Sequence, residues 1–262
     1  MYLTWLDNNS WLIELAGKHI LLDPWLVGNL TFGNLDWLFK GSRSQERSIP
    51  ERVDVILLSQ GLEDHAHPPT LQRLDKSIPI VGSPSAAKVA RQLGFTQVTA
   101  LKHGEIFHLD QLTIQATLGS AIGPTVQENG YLIRDLTQES AATLYYEPHG
   151  FHPATLQENG SIEVVITPMM DLALPIVGAI IKGADSALEL AKSVKPQFML
   201  PTAAGGDILL EGLLLSLLKA TGSPDEFRTK LAQHNLSTQV LEPKPAIAST
   251  FPCLSPLHKN LC

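Results

Sequence analysis

The run Val53-Asp54-Val55-Ile56-Leu57-Leu58 ends in the loop Ser59-Gln60-Gly61-Leu62-Glu63-Asp64-His65-Ala66-His67, which crowds Glu63, Asp64, His65 and His67 into five residues. An apolar, β-branched run of this length reads as a buried strand. Carboxylates and imidazoles packed at its end are the side chains that ligate divalent metals. The chain must therefore fold so that a buried strand delivers its last residues to a polar edge.

The flanking sequence says what surrounds that strand. "YLTWL", "SWLIELAG" and "HILLDPWL" are short β-leaning runs separated by the turn signals Asn8-Asn9 and Gly17-Lys18. Residues 26–52 lose periodicity and read as a loop excursion, and long loops in compact domains are often functional. Pro68 to about Lys76 predicts a helix, and Ser83 to Gly94 another, with Ser83 as N-cap, Pro84 at the first position and Gly94 as stop. Four hairpin-like strands follow, "EIFHL", "LTIQATL", "NGYLIRDL" and "AATLYYE". Beyond Pro153 strands alternate with helices at Ala184–Val194, Ile208–Lys219 and Pro224–His234. Antiparallel strands in the middle and helices towards both ends predict two sheets packed face to face with helices outside. Gln-Glu-Asn-Gly occurs at 127–130 and at 157–160, and reads as two separate Asn-Gly turns rather than a duplication. Residues 1–242 are expected to form one domain, with 243–262 as an extended tail rich in Pro and Ser.

At 262 residues the chain can bury a core that needs no metal or disulfide. The formal net charge of −7 argues against general nucleic-acid binding, which draws its affinity from a basic face. Cys253 and Cys262 do not make a disulfide framework. The first residues lack a basic segment followed by an apolar run, and no stretch reaches the roughly 18 apolar residues of a span. The expectation is a cytoplasmic protein, not transmembrane.

Four patterns in order, "ILLDPWL", "DVILLSQGLEDH", "NGYLI" with "LYYEPHG", and "VVITP" with "KPQFMLPT", resemble the metallo-β-lactamase fold family, in the branch of ascorbate-6-phosphate lactonase-like proteins. The resemblance spans roughly Tyr2 to Thr202. It implies an α/β fold, a four-layer αββα sandwich, with a metal site at one edge of the two sheets. It also implies a His-x-His-x-Asp-His motif after the buried strand. Here Gln60 and Leu62 stand at the first two histidine positions, while Asp64 and His65 match the last pair. The later ligand positions fall at Ser120, at Glu147-Pro148-His149 and at Ala203-Ala204. The resemblance thus implies that none of the first metal's three histidines is present, and Leu62 cannot donate to any cation.

One divalent ion, zinc or iron, is compatible with Asp64 and His65 joined by His149 or Glu147; no ion is the alternative, with Asp64 accepting backbone N–H bonds and His65 satisfying it. His67, beside two prolines, reads as a partly exposed loop residue. Asp23 resembles the family's loop-bracing Asp rather than a catalytic group. Gly205-Gly206 read as a tight turn. "MMDLALPIVGAII" (Met169 to Ile181) and "ILLEGLLLSLL" (Ile208 to Leu218) are expected to form one apolar wall beside the metal pocket, open to an apolar ligand, a protein partner or a second copy of the chain. Two functions stay open. The first is a non-catalytic binding protein with a largely lost two-metal site; the second is a mononuclear metal-dependent hydrolase, with Asp64, His65 and His149 as its expected metal ligands, acting on a lactone, ester or phosphoester. No specific catalytic residue is assigned.

Overall fold

Strands that send successive side chains into two different cores build the architecture in a computed structural model, which describes residues 1–122, 126–137, 142–175, 178–202 and 205–251. In Lys18–Leu22 and Val55–Leu58, residues Ile20, Leu22, Val55 and Leu57 enter one core cluster, while Leu21, Ile56 and Leu58 enter another on the opposite face. A strand buried on both faces lies inside a layered stack. The first sheet runs Ala248–Thr250, Tyr2–Trp5, Trp11–Leu15, Lys18–Leu22, Val55–Leu58, Ile80–Gly82, Val98–Ala100. The second runs Gln239–Val240, Phe198–Leu200, Val164–Ile166, Thr143–Tyr146, Val126–Asp135, Leu112–Ile122, Ile106–Leu109. The sheets face each other across a core of Trp11, Ile13, Tyr131, Ile133, Leu144 and their neighbours.

Helices close both outer faces. Pro68–Arg73 and Pro84–Gln92 cover the first sheet through Leu71, Ala86 and Ala90. Ala184–Val194 and Pro224–Gln233 cover the second through Leu188, Ala191, Phe227 and Leu231. The result is the expected four-layer αββα sandwich. Ser83 caps its helix by accepting from Ala86 N with Pro84 in the first turn, and Ser223 and Pro224 repeat the device. No helix among the described residues is long and apolar enough to cross a membrane.

Three local expectations are corrected. Ile208–Lys219 is not one helix: Ile208–Glu211 is a strand paired with Lys40–Arg43, Leu213–Leu217 a short helix, and Lys219–Thr221 a strand paired with Asp171–Leu174. Tertiary pairing overrides the helical propensity of a leucine-rich run, and Gly212 at φ +117° breaks it where a Cβ would collide with the Leu38 carbonyl. Residues 26–52 are not wholly irregular, since Leu30–Thr31 pairs with Lys40–Arg43. Asn129-Gly130 is no turn; it lies inside Val126–Asp135, where Gly130 admits the close approach of Thr117 and Glu147. Residues 157–160 do turn, closing a 3-10 helix at Gly160.

Beyond the two large sheets, Gly178–Ile181, Asp171–Leu174 and Lys219–Thr221 form one small sheet, and Ile208–Glu211, Lys40–Arg43 and Leu30–Thr31 another. Arg47 ties the second to the body, its Nη2 lying 2.8 Å from the buried Asp7 Oδ2 and 2.5 Å from Asp207 Oδ2. Residues 248–250 pair antiparallel with Tyr2–Trp5, and Phe251 joins the core. Cys253 and Cys262 lie outside the described residues.

Candidate metal centre

The carboxyl ends of Lys18–Leu22, Val55–Leu58, Thr143–Tyr146, Val164–Ile166 and Phe198–Leu200 bring Asp23, Ser59–Gln60, Glu147–His149, Thr167 and Thr202 to one edge of the sandwich. After Ser59 the chain turns tightly. Gly61 donates its N–H to Ser85 Oγ at 2.8 Å, and a Cβ there would meet the Ser85 backbone at 2.9 Å. The backbone N–H groups of His65 and Ala66 then both reach the Leu62 carbonyl, forming a turn that carries Asp64 and His65 towards the edge.

Asp23 holds this turn. Its Oδ1 accepts from Ser59 N at 2.7 Å, and its Oδ2 accepts from Ser59 Oγ at 2.5 Å, Tyr146 Oη at 2.7 Å and His65 Nδ1 at 2.7 Å. All four groups are buried, so each bond excludes water. The bracing role expected of Asp23 is thus built from both sheets. With Nδ1–H committed to Asp23, His65 turns Nε2 towards Asp64 Oδ2 at 3.1 Å, and the amide of Asn9 lies 3.3 Å away.

His149 completes the cluster from the second sheet. One ligand atom each from Asp64, His65 and His149 lie within 4.8 Å of one another, and the two imidazole centroids are 5.2 Å apart. A β-bulge between Leu118 and Ala121 directs Ser120 inward, placing its Oγ 3.3 Å from His149 Nδ1. Gln60, at the first motif position, sets its Nε2 3.3 Å from His149 Nε2. Leu62, at the second, is 39 % exposed and lines the adjoining cavity.

Burial acts on the charges here in opposite directions. It opposes a cation on His65, but the Asp64 and Asp23 carboxylates outweigh it and raise the imidazole pKa to about 10. Burial also opposes the anion on Asp64, where His65 outweighs it and lowers the pKa. His149 is lowered to about 3, by burial first and by the His65 charge second. A neutral imidazole beside a carboxylate is a metal-ready pair, and a divalent cation would supply the countercharge that the His65 proton supplies in its place. Two further atoms fit that use: Asp64 Oδ1 and Gln60 Oε1 are buried with no hydrogen-bond partner among the described residues. The donor set of one carboxylate, two imidazoles and a neighbouring amide oxygen suits one divalent ion.

The other expected candidates separate cleanly. Glu147 is not in the cluster; its Oε2 accepts from His149 N and Phe151 N, and burial, opposed by those bonds, pushes it up to about 7. It shapes the loop that carries His149. His67 is corrected from a partly exposed loop residue to a buried helix cap. Its Nδ1 accepts from Thr70 N and its Nε2 faces the Asn29 carbonyl at 3.1 Å, while burial lowers its pKa to about 4. Gly205 and Gly206 precede a strand and both have positive φ, as a tight turn requires. The position at Ala203-Ala204 lies outside the described residues. Asn9 and Tyr146 carry no sequence signal of their place in the site: Tyr146 reads only as the last residue of a buried strand and Asn9 as part of a turn.

A cavity of about 660 Å³ opens on the cluster. Gln60, Asp64, Ser120 and His149 form its polar end. Both segments expected beside the site line the cavity, Leu172 and Ala179–Ile181 from one and Ile208, Leu210, Leu214, Leu215 and Leu218 from the other, but they belong to separate small sheets and do not form the one continuous wall expected. Trp25, Leu30, Phe32 and Phe39 complete the apolar lining.

Comparison with known proteins agrees with this fold. A metal-dependent hydrolase of Herpetosiphon aurantiacus is 22 % identical over 256 residues, covering 95 % of this chain and 98 % of that protein. The crystal structure of an isothiocyanate hydrolase from Delia radicum gut bacteria matches with a TM-score of 0.69 at 20 % identity, over 97 % of this chain and 100 % of that one. Igni18, a metallo hydrolase of the archaeon Ignicoccus hospitalis, matches with a TM-score of 0.64 at 18 % identity, over 96 % and 99 % of the two chains. These structures share the fold, while the ascorbate-6-phosphate lactonase-like branch rests on the sequence motifs alone. The beta-lactamase superfamily domain matches residues 2–203, most of the sandwich and the turn that carries Asp64 and His65, and the chain belongs to that family.

Proposed function

We propose that this protein is a metal-dependent hydrolase working with one divalent ion, zinc or iron, held by Asp64, His65 and His149. The observation that carries the proposal is the convergence of these three ligand atoms within 4.8 Å, with Asp64 Oδ1, at the polar end of the cavity, buried and without a hydrogen-bond partner among the described residues. The metal-dependent hydrolase of Herpetosiphon aurantiacus, alignable over nearly the whole chain, favours hydrolysis over a purely binding role. A bound ion would supply a Lewis acid for polarising a substrate oxygen and activating water.

The chain's own residues do the rest. Asp23 holds His65 in one tautomer through Nδ1, leaving Nε2 for the ion. Burial keeps His149 neutral and able to donate its lone pair. Asn9, Gln60 and Ser120 offer hydrogen bonds to a polar substrate group at the closed end, and the apolar walls exclude bulk water. In ester cleavage, the oxygen of water bonds to the acyl carbon and the acyl C–O bond breaks. The two hydrogens of water end on the acid and the alcohol.

Gln60, Leu62 and Ser120 at the first metal's positions favour a second reading, a non-catalytic binding protein that uses the same cavity. One experiment separates the two. Protein purified without added metal should carry close to one equivalent of zinc or iron by elemental analysis, and Asp64→Asn or His149→Ala should abolish it along with ester turnover. Absence of metal, with no zinc or cobalt binding at micromolar concentration, would defeat the hydrolase reading.

A further inference from the structure

Two chain segments outside the large sheets meet over the candidate metal centre, and what they line it with specifies a substrate. The hairpin Asp171–Leu174/Gly178–Ile181 contributes Leu172 and Ile180; the strand and short helix at 208–217 contribute Ile208, Leu214 and Leu215. These segments belong to separate small sheets, each pinned to the body by its own contacts. Asp171 Oδ1 accepts from Gly183 N at 2.7 Å in one, and Arg47 bridges Asp7 to Asp207 in the other. The walls are therefore held in place rather than collapsed against each other, and about 660 Å³ stays open between them. That volume falls in the roughly 300–1,000 Å³ range that encloses a whole small molecule.

Charge sorts the chemical classes. Among the described residues lining the cavity, the Lys, Arg, Asp and Glu are Asp64 and Lys182 alone, and the Lys182 ammonium sits 4.6 Å over the Phe151 ring. No arginine is among those lining residues to grip a phosphoryl group with its guanidinium fork, and one divalent ion held by Asp64, His65 and His149 would offset the Asp64 charge but leave the other phosphoryl oxygens without paired donors. A phosphoester dianion would also have to leave water for apolar walls, which is costly for a charge without paired donors. A neutral ester or lactone meets neither penalty. Its carbonyl finds hydrogen-bonding groups at the Gln60–Ser120 end, and its carbon skeleton finds the leucines and isoleucines.

We infer that the substrate of this site is an uncharged ester or lactone of an apolar acid, whose hydrocarbon body lies between the 171–181 hairpin and the 208–217 segment. The inference rests on the hydrolase reading for the bond that is cut, but the apolar recognition can be measured without catalysis. The first arm is hydrolysis of para-nitrophenyl esters from acetate through decanoate. The second is displacement of anilinonaphthalene sulfonate by straight-chain primary alcohols from butanol through decanol. Each added methylene should raise kcat/KM and alcohol affinity by about fourfold until the cavity is filled. Leu215→Asp should flatten both series. Ala179→Phe, at an exposed position where added bulk is tolerated, should leave the fold intact by thermal melting and shorten the longest chain accepted.

Outcomes divide clearly. Turnover of acetate with no gain along the series would overturn the apolar-substrate inference and leave the hydrolase reading standing. A rising alcohol series without turnover of any ester would support apolar recognition and defeat the hydrolase reading. Flat alcohol binding together with absent turnover would defeat both.

Discussion

Asp23→Asn removes one charge and one accepting position from the group that holds the centre together. In the wild type Oδ2 accepts three bonds, from Ser59 Oγ, Tyr146 Oη and His65 Nδ1, while Oδ1 accepts from Ser59 N. An asparagine that keeps its oxygen at the three-bond position presents an NH2 to the Ser59 N–H, donor against donor. The flipped amide confronts Tyr146 and His65 instead, which is worse. The better rotamer leaves one buried donor unpaired, costing roughly 1–3 kcal/mol, and weakens three bonds that lose their charge assistance. The φ of +42° at this residue suits Asn as well as Asp, so the backbone adds no penalty. We expect a loss of about 2–4 kcal/mol in urea unfolding with chelator present, within the 5–15 kcal/mol typical of a domain, so the variant folds. Because Asp23 orients His65 towards the ion, zinc affinity by isothermal titration should fall by about 10–100-fold. Zinc affinity unchanged in a folded Asp23→Asn protein would refute the claim that His65 is a ligand braced through Nδ1.

Three further outcomes follow from the same geometry. Gln60→His with Leu62→His places imidazoles beside His149 and at the cavity mouth, and should tighten zinc binding by about tenfold or more, worth ~1.4 kcal/mol; an unchanged titration would mean the loop is not in the register described. Burial holds His152 neutral between Tyr145 and Thr167, with its pKa lowered to about 3. Since the folded pKa is depressed, its contribution is fully present above about 6.5 and is lost as pH falls towards 3, by up to ~1.4 kcal/mol per pH unit. His152→Gln should therefore reduce the slope of urea stability between pH 6 and pH 4, and an unaltered slope would show that this histidine is solvated. Thermal melts with and without EDTA should differ by no more than a few degrees, because His65 lies between the Asp23 and Asp64 carboxylates and can supply a countercharge in place of an ion, and the core lies between the sheets; a large drop would reveal a metal that holds the fold.

The sandwich was legible before any coordinates because its determinants are local. Apolar strands such as Val55–Leu58, and Ser83-Pro84 at a helix start, carry their structure in their own residues. Asp64 and His65 were legible for the same reason, as neighbours on one turn after a buried strand. His149 was the expected third ligand, but the sequence could not show why Glu147, two residues earlier on the same loop, stands apart; the loop's backbone N–H groups draw it aside. Nor could sequence show that His67 is buried as a helix cap, because its partner Asn29 comes from a distant loop and its ring lies beside Trp25. The 208–218 run illustrates the limit most plainly. Its leucines made a place beside the site a sound expectation, yet the expected burial is not found, since Leu209, Leu210, Leu213 and Leu217 are exposed, and whether the run forms helix or strand was decided by Lys40–Arg43, a distant segment whose backbone groups accept a strand there. Hydrophobic pattern is a property of the chain, whereas pairing and convergence depend on which remote partner satisfies each hydrogen bond.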